Sequence, residues 1–337
     1  MTGDMSDSVQ TARQVAEPVL REAVDRLDRL TARVAGYHLG WNDAEGRPVR
    51  TGGKSLRLTL AVLSARAAGA DARRGATAAA AVELVHAFSL LHDDIMDDDR
   101  TRRHRPTAWV VFGRSAAILA GDALLVLAMD LLLGQGTRGA VGAARCLSAA
   151  TQRLIAGQAA DLDFEHRQDV GVEECRQMAA DKTGALLSCA CAIGALSVEA
   201  PQPLVTALAA YGAELGMAFQ LSDDLLGIWG DPRTTGKPAL SDLRARKKTL
   251  PAVAALTSDT VAGRRLAELL ACSGPLSEAD LHEAAQLIDQ AGGRAWAEKQ
   301  AQHHLDASER ILGGTPMPAD VRAEFSDIAR FITSRDH

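Results

Sequence analysis

The chain has 337 residues, 47% of them hydrophobic and 24% charged, with a net charge of -6. That composition is globular rather than disordered, and a mildly acidic chain lacks the basic footprint of a nucleic-acid binder. The five cysteines, at 146, 175, 189, 191 and 272, are odd in number and lack CxxC spacing, which argues against a structural zinc site and fits reduced thiols in a cytoplasmic protein.

The first residues, MTGDMSDSVQTARQ, carry no basic stretch followed by an apolar core, so no signal peptide is expected. About ten residues at this end are expected to lack order. Strand signals are nearly absent. Apolar residues recur at three and four positions over long windows, which is the helical period. Helices are expected over about 8–38, 54–70, 73–98, 115–134, 138–167, 171–198 and 202–229. A polar, Gly-rich connection, Trp41–Gly53, separates the first two, and Gly230–Ser241 is a loop. Ala116–Leu133 is the most apolar stretch, but Asp122 and Asp130 interrupt it, which argues against a membrane span. Ser277 and Asp280 read as the N-cap and acidic first turn of a helix near 278–292. Gly292–Gly293 and Gly313–Gly314 separate the last three helices. No repeat and no domain boundary is evident. The expected fold class is all-α, one domain over residues 1–337 with roughly ten or more helices.

Two acidic clusters stand out. Ser89–Thr107 reads SLLHDDIMDDDRTRRHRPT, and five of the seven residues from Asp93 to Asp99 are aspartates. The apolar helical pattern Val82–Leu91 runs into this cluster. The acids therefore crowd a helix C-terminus, where the macrodipole is already negative and a cation is needed to offset them. Asp93 and Asp97, spaced i,i+4, project from one face. Two carboxylates without His or Cys suit Mg²⁺, which keeps much of its water and adds phosphate oxygens. Glu83-Leu-Val-His86 is also an ExxH, but a di-iron site needs two such motifs and the sequence has one. The second cluster lies in Phe219–Pro251, FQLSDDLLGIWGDPRTTGKPALSDLRARKKTLP. Asp223–Asp224 ends another apolar helix, with Gln220 one turn earlier. Lys237, Asp242 and the basic run Arg244–Lys248 follow. Acids trailed by basic residues, twice over, point to metal ions on the carboxylates and Lys or Arg on the remaining phosphate charge.

These residues resemble the signature regions of trans-type isoprenyl diphosphate synthases, the polyprenyl synthetase family. DDIMD with Arg102–Arg103, and DDLLGIWGDPRTTGKP, are similar to its two aspartate-rich regions. Gly52-Gly53-Lys54-Ser-Leu-Arg57 resembles its GGKRLRP segment. Glu83-Leu-Val-His86, Gly121-Asp122, Gly157–Asp161 (GQAAD) and Lys182-Thr183-Gly184 match further motifs in order, so the resemblance spans about residues 50–251. It implies an isoprenoid synthase fold, with helices around a deep central cavity and a homodimer as the usual assembly. It implies Mg²⁺, three ions with diphosphate bound, held by Asp93 and Asp97 on one side of the allylic diphosphate and Asp223 on the other. Arg102, Lys182 and Lys237 are implied as contacts to that diphosphate, with Lys247 also facing the diphosphates. Thr183 and Gln220 are implied beside the reacting carbon. Lys54, Arg57, His86 and Arg103 are implied as the isopentenyl diphosphate site.

The implied reaction joins isopentenyl diphosphate to an allylic diphosphate of C5 to C15, in a protein that neither spans a membrane nor binds nucleic acid. Phe88, five residues before Asp93, with the small Ser89 at four, resembles enzymes that stop at C20, geranylgeranyl diphosphate; a C15 farnesyl diphosphate synthase is the alternative. A class I terpene cyclase would share the aspartates but has no use for Lys54, Arg57, His86 and Arg103. A non-catalytic subunit has no use for intact Asp93, Asp97, Lys182 and Asp223. Two positions depart from the family: Gly227 replaces the third acid of the second motif, and His104 stands where Gly is common. Because the first cluster is complete, Gly227→Asp is expected to change activity less than about tenfold.

Overall fold

The structure, a computed structural model, describes residues 3–49, 55–231, 239–272 and 274–333. Lys54 and Lys237 lie outside the described residues. The chain divides into two compact units, one of Met1–Thr151, Leu186–Gly212 and Ile311–Ile328, the other of Gln152–Ala185, Ala213–Arg310 and Ala329–His337.

The first unit opens with α1 (Gly3–Val24), α2 (Arg29–His38), α3 (Leu56–Ala67) and α4 (Ala76–Met96). The described backbone is helical from Gly3 onward. The single helix expected over 8–38 is two, because Asp28 caps a fresh start: its side chain accepts from the backbone N–H of Leu30 and Thr31. In α3 and α4 apolar residues occur on every side, the mark of helices packed all round. Leu60, Leu63, Leu84 and Leu91 are fully buried, and alanines 78–81 let neighbours approach α4 closely. A hairpin of Thr101–Arg102 and Arg105–Pro106 follows, with α5 (Ala108–Phe112) and α6 (Arg114–Leu133) beyond it. Both hairpin turn residues, Arg103 (φ 52) and His104 (φ 60), are left-handed. A type I′ turn demands this, and it explains why glycine suits position 104.

By length and composition, four helical stretches among the described residues could cross a membrane, Arg114–Leu133 being the most apolar. On α6, Leu119 is 61% and Val126 69% exposed. Farther along, Tyr211 donates its hydroxyl to the Phe325 carbonyl at 2.8 Å and meets the Phe325 ring edge-on. This fixes the last helix, Ala319–Thr333, to the first unit's core.

Helix α7 (Arg138–Phe164) starts in the first unit and ends in the second. The single helix expected over 171–198 is interrupted. It comprises α8 (Val172–Ala179), a π-helical turn (Ala180–Gly184) and α9 (Ala185–Ser197). The second unit continues through the later part of α10 (Gln202–Trp229), which starts in the first unit, then α11 (Ser241–Arg244), α12 (Leu250–Leu256), α13 (Val261–Ala271), α14 (Glu278–Gln290) and most of α15 (Gly293–Gly314). Its core has two clusters, one around Phe164, Met217, Leu221 and Val253, the other around Ile228, Leu243, Leu266 and Leu281. The expected cap at Ser277 is a full capping box, in which Asp280 accepts the Ser277 N–H at 2.9 Å and Ser277 accepts the Asp280 N–H at 3.2 Å.

Candidate active site

The end of α4 sorts its aspartates by face. Asp97 is the C-cap residue and exposed, and Asp93 is half-buried one turn earlier. Asp94 points inward instead. Its Oδ1 accepts from both Nε and Nη2 of Arg102 at 2.7 Å. Burial raises its carboxyl pKa to about 6 against the pull of that arginine. The first strand of the hairpin thus ties Arg102 to the aspartate cluster.

Phe88 and His92, one turn apart, face the same way, with their rings edge-on at 4.9 Å. His92 reaches the Ile118 carbonyl on α6 at 3.1 Å. A side chain at Gly121 would collide with that imidazole: a Cβ there would stand 3.3 Å from Cε1 and much closer to Nε2. The glycine of the Gly121-Asp122 pair therefore sets the distance between α4 and α6 under Phe88. Ser89, buried, lies on the Asp93 face and donates to the His86 carbonyl.

A cavity of roughly 910 Å³ opens in the first unit, lined among others by Arg13, His38, Ser55, Glu83, His86 and Arg103. Arg57 lies beside it, its Nη1 3.3 Å from His86 Nε2. Burial, then Arg57 and Arg103, hold the His86 pKa well below its usual value, so the imidazole is neutral and accepts from Arg57. Burial lowers Arg57 to about 10, still cationic at neutral pH. Arg57 Nε and Glu83 Oε2 are buried and have no hydrogen-bond partner among the described residues. Buried polar atoms in that condition call for a partner, which water or a ligand in the cavity could supply. Three expected pocket residues, Arg57, His86 and Arg103, therefore come together. Sequence reading missed Arg13 and His38, which come from helices without a motif.

The second unit gathers its residues on the π turn and α10. Lys182 Nζ meets Asp161 Oδ2 at 2.5 Å, joining KTG to GQAAD. A Cβ at Gly157 would lie 2.7 Å from Lys182 Cα and closer still to its backbone nitrogen, so only glycine lets α7 reach the turn. Thr183 donates to Gln220 Oε1 at 2.6 Å, and Gln220 Nε2 donates to Asp224 Oδ1 at 2.7 Å. Asp224 Oδ2 accepts the Leu250 N–H at 2.8 Å. Burial raises Asp224 to about 7, against those bonds. Asp224 is thus a buried brace, while Asp223 is exposed. Lys247 is half-buried and its N–H bonds the Asp242 carbonyl at 2.8 Å. The space that a side chain at 227 would occupy is filled by Asp242: a Cβ there would stand 2.5 Å from its Cγ.

Among the described residues no three His, Cys, Asp or Glu converge as a preformed metal cage. The donors present, Asp93 with Asp97 and separately Asp223, are hard oxygens only. That set fits Mg²⁺, which completes its shell with water and phosphate oxygens.

An all-α chain with two aspartate-rich helix ends and a cation-lined pocket has the parts of a metal-dependent enzyme acting on diphosphates. Residues 45–288 match the polyprenyl synthetase family model, and the chain belongs to that family, the trans-isoprenyl diphosphate synthases. It is 47% identical over 328 residues to the (2E,6E)-farnesyl diphosphate synthase of Mycobacterium tuberculosis, covering 96% of this chain and 91% of that protein. It is 43% identical over 306 residues to a geranylgeranyl diphosphate synthase of the same organism, covering 90% and 87%. The crystal structure of a polyprenyl synthetase from Streptomyces coelicolor matches with a TM-score of 0.92 and 48% identity, over 97% of this chain and 99% of that one. The fold is the all-α isoprenyl synthase fold, and the protein is a prenyltransferase.

Proposed function

We propose that this prenyltransferase condenses isopentenyl diphosphate with allylic diphosphates of C5 to C15 and releases C20 geranylgeranyl diphosphate. The observation that carries the chain length is Phe88, buried and packed edge-on against His92 five residues before Asp93, with small Ser89 beside it. The 47% identity to a farnesyl diphosphate synthase favours a second reading, C15.

Asp93, Asp97 and Asp223 are the proposed Mg²⁺ ligands, for three ions with diphosphate bound. Bound there, Mg²⁺ would neutralise charge developing on the departing diphosphate. Lys182, held in place by Asp161, and Arg102, held by Asp94, bring cationic donors to the allylic diphosphate, with Lys237 and Lys247. Thr183 and Gln220, already bonded to each other, orient toward the reacting carbon. Lys54, Arg57, His86 and Arg103 hold isopentenyl diphosphate. His86 serves as a neutral donor, since Nε2 accepts from Arg57 and the ring proton then sits on Nδ1. The outward apolar residues of α6, Leu119 and Val126 with Ile118, are the proposed homodimer face.

The test is purified protein with Mg²⁺, isopentenyl diphosphate and C5, C10 or C15 primers, with products resolved by chromatography. C20 as the end product supports the reading, and arrest at C15 replaces it with the second. A hydrocarbon made without isopentenyl diphosphate would mean a cyclase, and no product a non-catalytic subunit.

A further inference from the structure

We infer that Arg13, on the amino-terminal helix α1, is a further binding residue of the isopentenyl diphosphate pocket, contributed by a helix that none of the signature motifs covers. The inference rests on the pocket reading above.

Arg13 lines the same cavity as Ser55, Glu83, His86 and Arg103. Its Nε donates to Ser55 Oγ at 3.0 Å. Ser55 follows the Gly-Gly-Lys54 segment and has a left-handed φ of 51. Arg13 thus holds Ser55, the residue next in sequence to the implied diphosphate contact Lys54. The position has further meaning: the family segment GGKRLRP has an arginine where this chain has Ser55, and Arg13 brings a guanidinium to that spot from another helix.

Charge balance points the same way. Two carboxylates line the cavity, Glu17 and Glu83. Glu17 is paired with Arg21 at 2.6 Å. Glu83 is left to face the guanidinium groups of Arg57, Arg103 and Arg13, all three acting on its carboxyl, while one of its oxygens has no hydrogen-bond partner among the described residues. The two histidines on this wall, His38 and His86, are held neutral and add no charge. Counting Arg57, which lies beside the cavity, the three guanidinium groups that face Glu83 leave a positive surplus of two among the described residues. A diphosphate carries at least two negative charges at neutral pH, and guanidinium forks match its oxygens. Without Arg13 the surplus would be halved.

The experiment is calorimetric titration of the full chain with isopentenyl diphosphate, followed by steady-state kinetics with both substrates. Arg13→Met keeps the aliphatic stem and removes the charge, and Arg13→Lys restores it. Arg103→Met tests the pocket itself. The expected result is that Arg13→Met weakens isopentenyl diphosphate binding about tenfold or more. KM for that substrate rises in step, while KM for the allylic substrate and the melting temperature stay put. Arg13→Lys recovers most of the affinity. Should Arg13→Met fail to fold, Arg13→Gln gives the same readout while keeping a donor for Ser55. If Arg103→Met weakens binding and the Arg13 variants do not, Arg13 is only a brace and the inference fails. If Arg103→Met has no effect either, the pocket reading falls first.

Discussion

Restoring the missing acid of the second motif, by Gly227→Asp, should damage the protein rather than improve it. In the interior of α10 a Cβ at 227 would stand 2.5 Å from Asp242 Cγ and 3.0 Å from its Oδ1. Ordinary contact begins near 3.5 Å, so the Asp242 carboxylate must retreat by about 1 Å. Its escape is limited. Asp242 sits on the one-turn helix α11, whose Leu243 is buried in the core, and Ser241 of the same turn reaches the Gly227 carbonyl. Overpacking of this kind costs about 1–3 kcal/mol. Bringing a second carboxylate within some 5 Å adds about 3 kcal/mol at an effective dielectric of 20, less once water screens it. Together the expected loss is about 2–4 kcal/mol of stability. Gly227→Ala isolates the steric part and regains up to about 1 kcal/mol of helix propensity, so its net cost is smaller. Combining Gly227→Asp with Asp242→Ala should recover most of the loss. Thermal melts of the three variants against wild type measure this, with the double mutant giving the coupling. Unchanged stability in Gly227→Asp, or no relief from Asp242→Ala, would refute the reasoning.

Gly157→Ala pushes a methyl into the backbone of Lys182 and should cut kcat at least about tenfold, because positioning losses of that size follow small displacements; steady-state kinetics on a variant with normal helix content checks it. Phe88→Ala should lengthen the main product and cost about 3 kcal/mol as a core truncation; an unchanged chain length rules Phe88 out as the floor. Burial, then Arg102, Arg103 and Arg105, push His38 from 6.5 down to about 3. The unfolded chain therefore binds a proton below pH 6.5 that the folded chain refuses. Stability from this group is full above 6.5 and is lost as pH falls, by about 1.4 kcal/mol at pH 5.5. Asp94 and Asp224, raised to about 6 and about 7, act in the opposite direction: their contribution is full below 3.8 and is lost as pH rises through those values. The His38 share is accordingly read from the difference in pH slope between wild type and His38→Gln, and identical slopes would refute it.

The helices and both aspartate-rich ends were legible in the sequence, because apolar period and acid spacing are local properties. The i,i+4 rule also separates Asp93 and Asp97 from Asp94, which the structure turns inward. Other features were not legible. The break before Arg29 depends on one cap, Asp28, inside a pattern that otherwise reads as continuous helix. The π turn at Ala180–Gly184 has ordinary helical composition, and its close packing against Gly157 is a tertiary contact. Asp242 filling the space beside Gly227, and Arg13 reaching Ser55 across 42 residues, are long-range contacts that no window could contain.

The left-handed hairpin turn separates the tasks of two neighbouring arginines. Arg102 ends a strand and goes to Asp94, while Arg103, the first turn residue, lines the cavity with His86. Adjacent in sequence, they make different contacts because Arg102 closes the strand while Arg103 opens the turn, where its left-handed backbone re-aims the side chain. Most surface connections accept an inserted residue at little cost. Here one extra residue would break the register that pairs Arg102 with Arg105 and the two-residue left-handed turn, so the hairpin has little freedom in length.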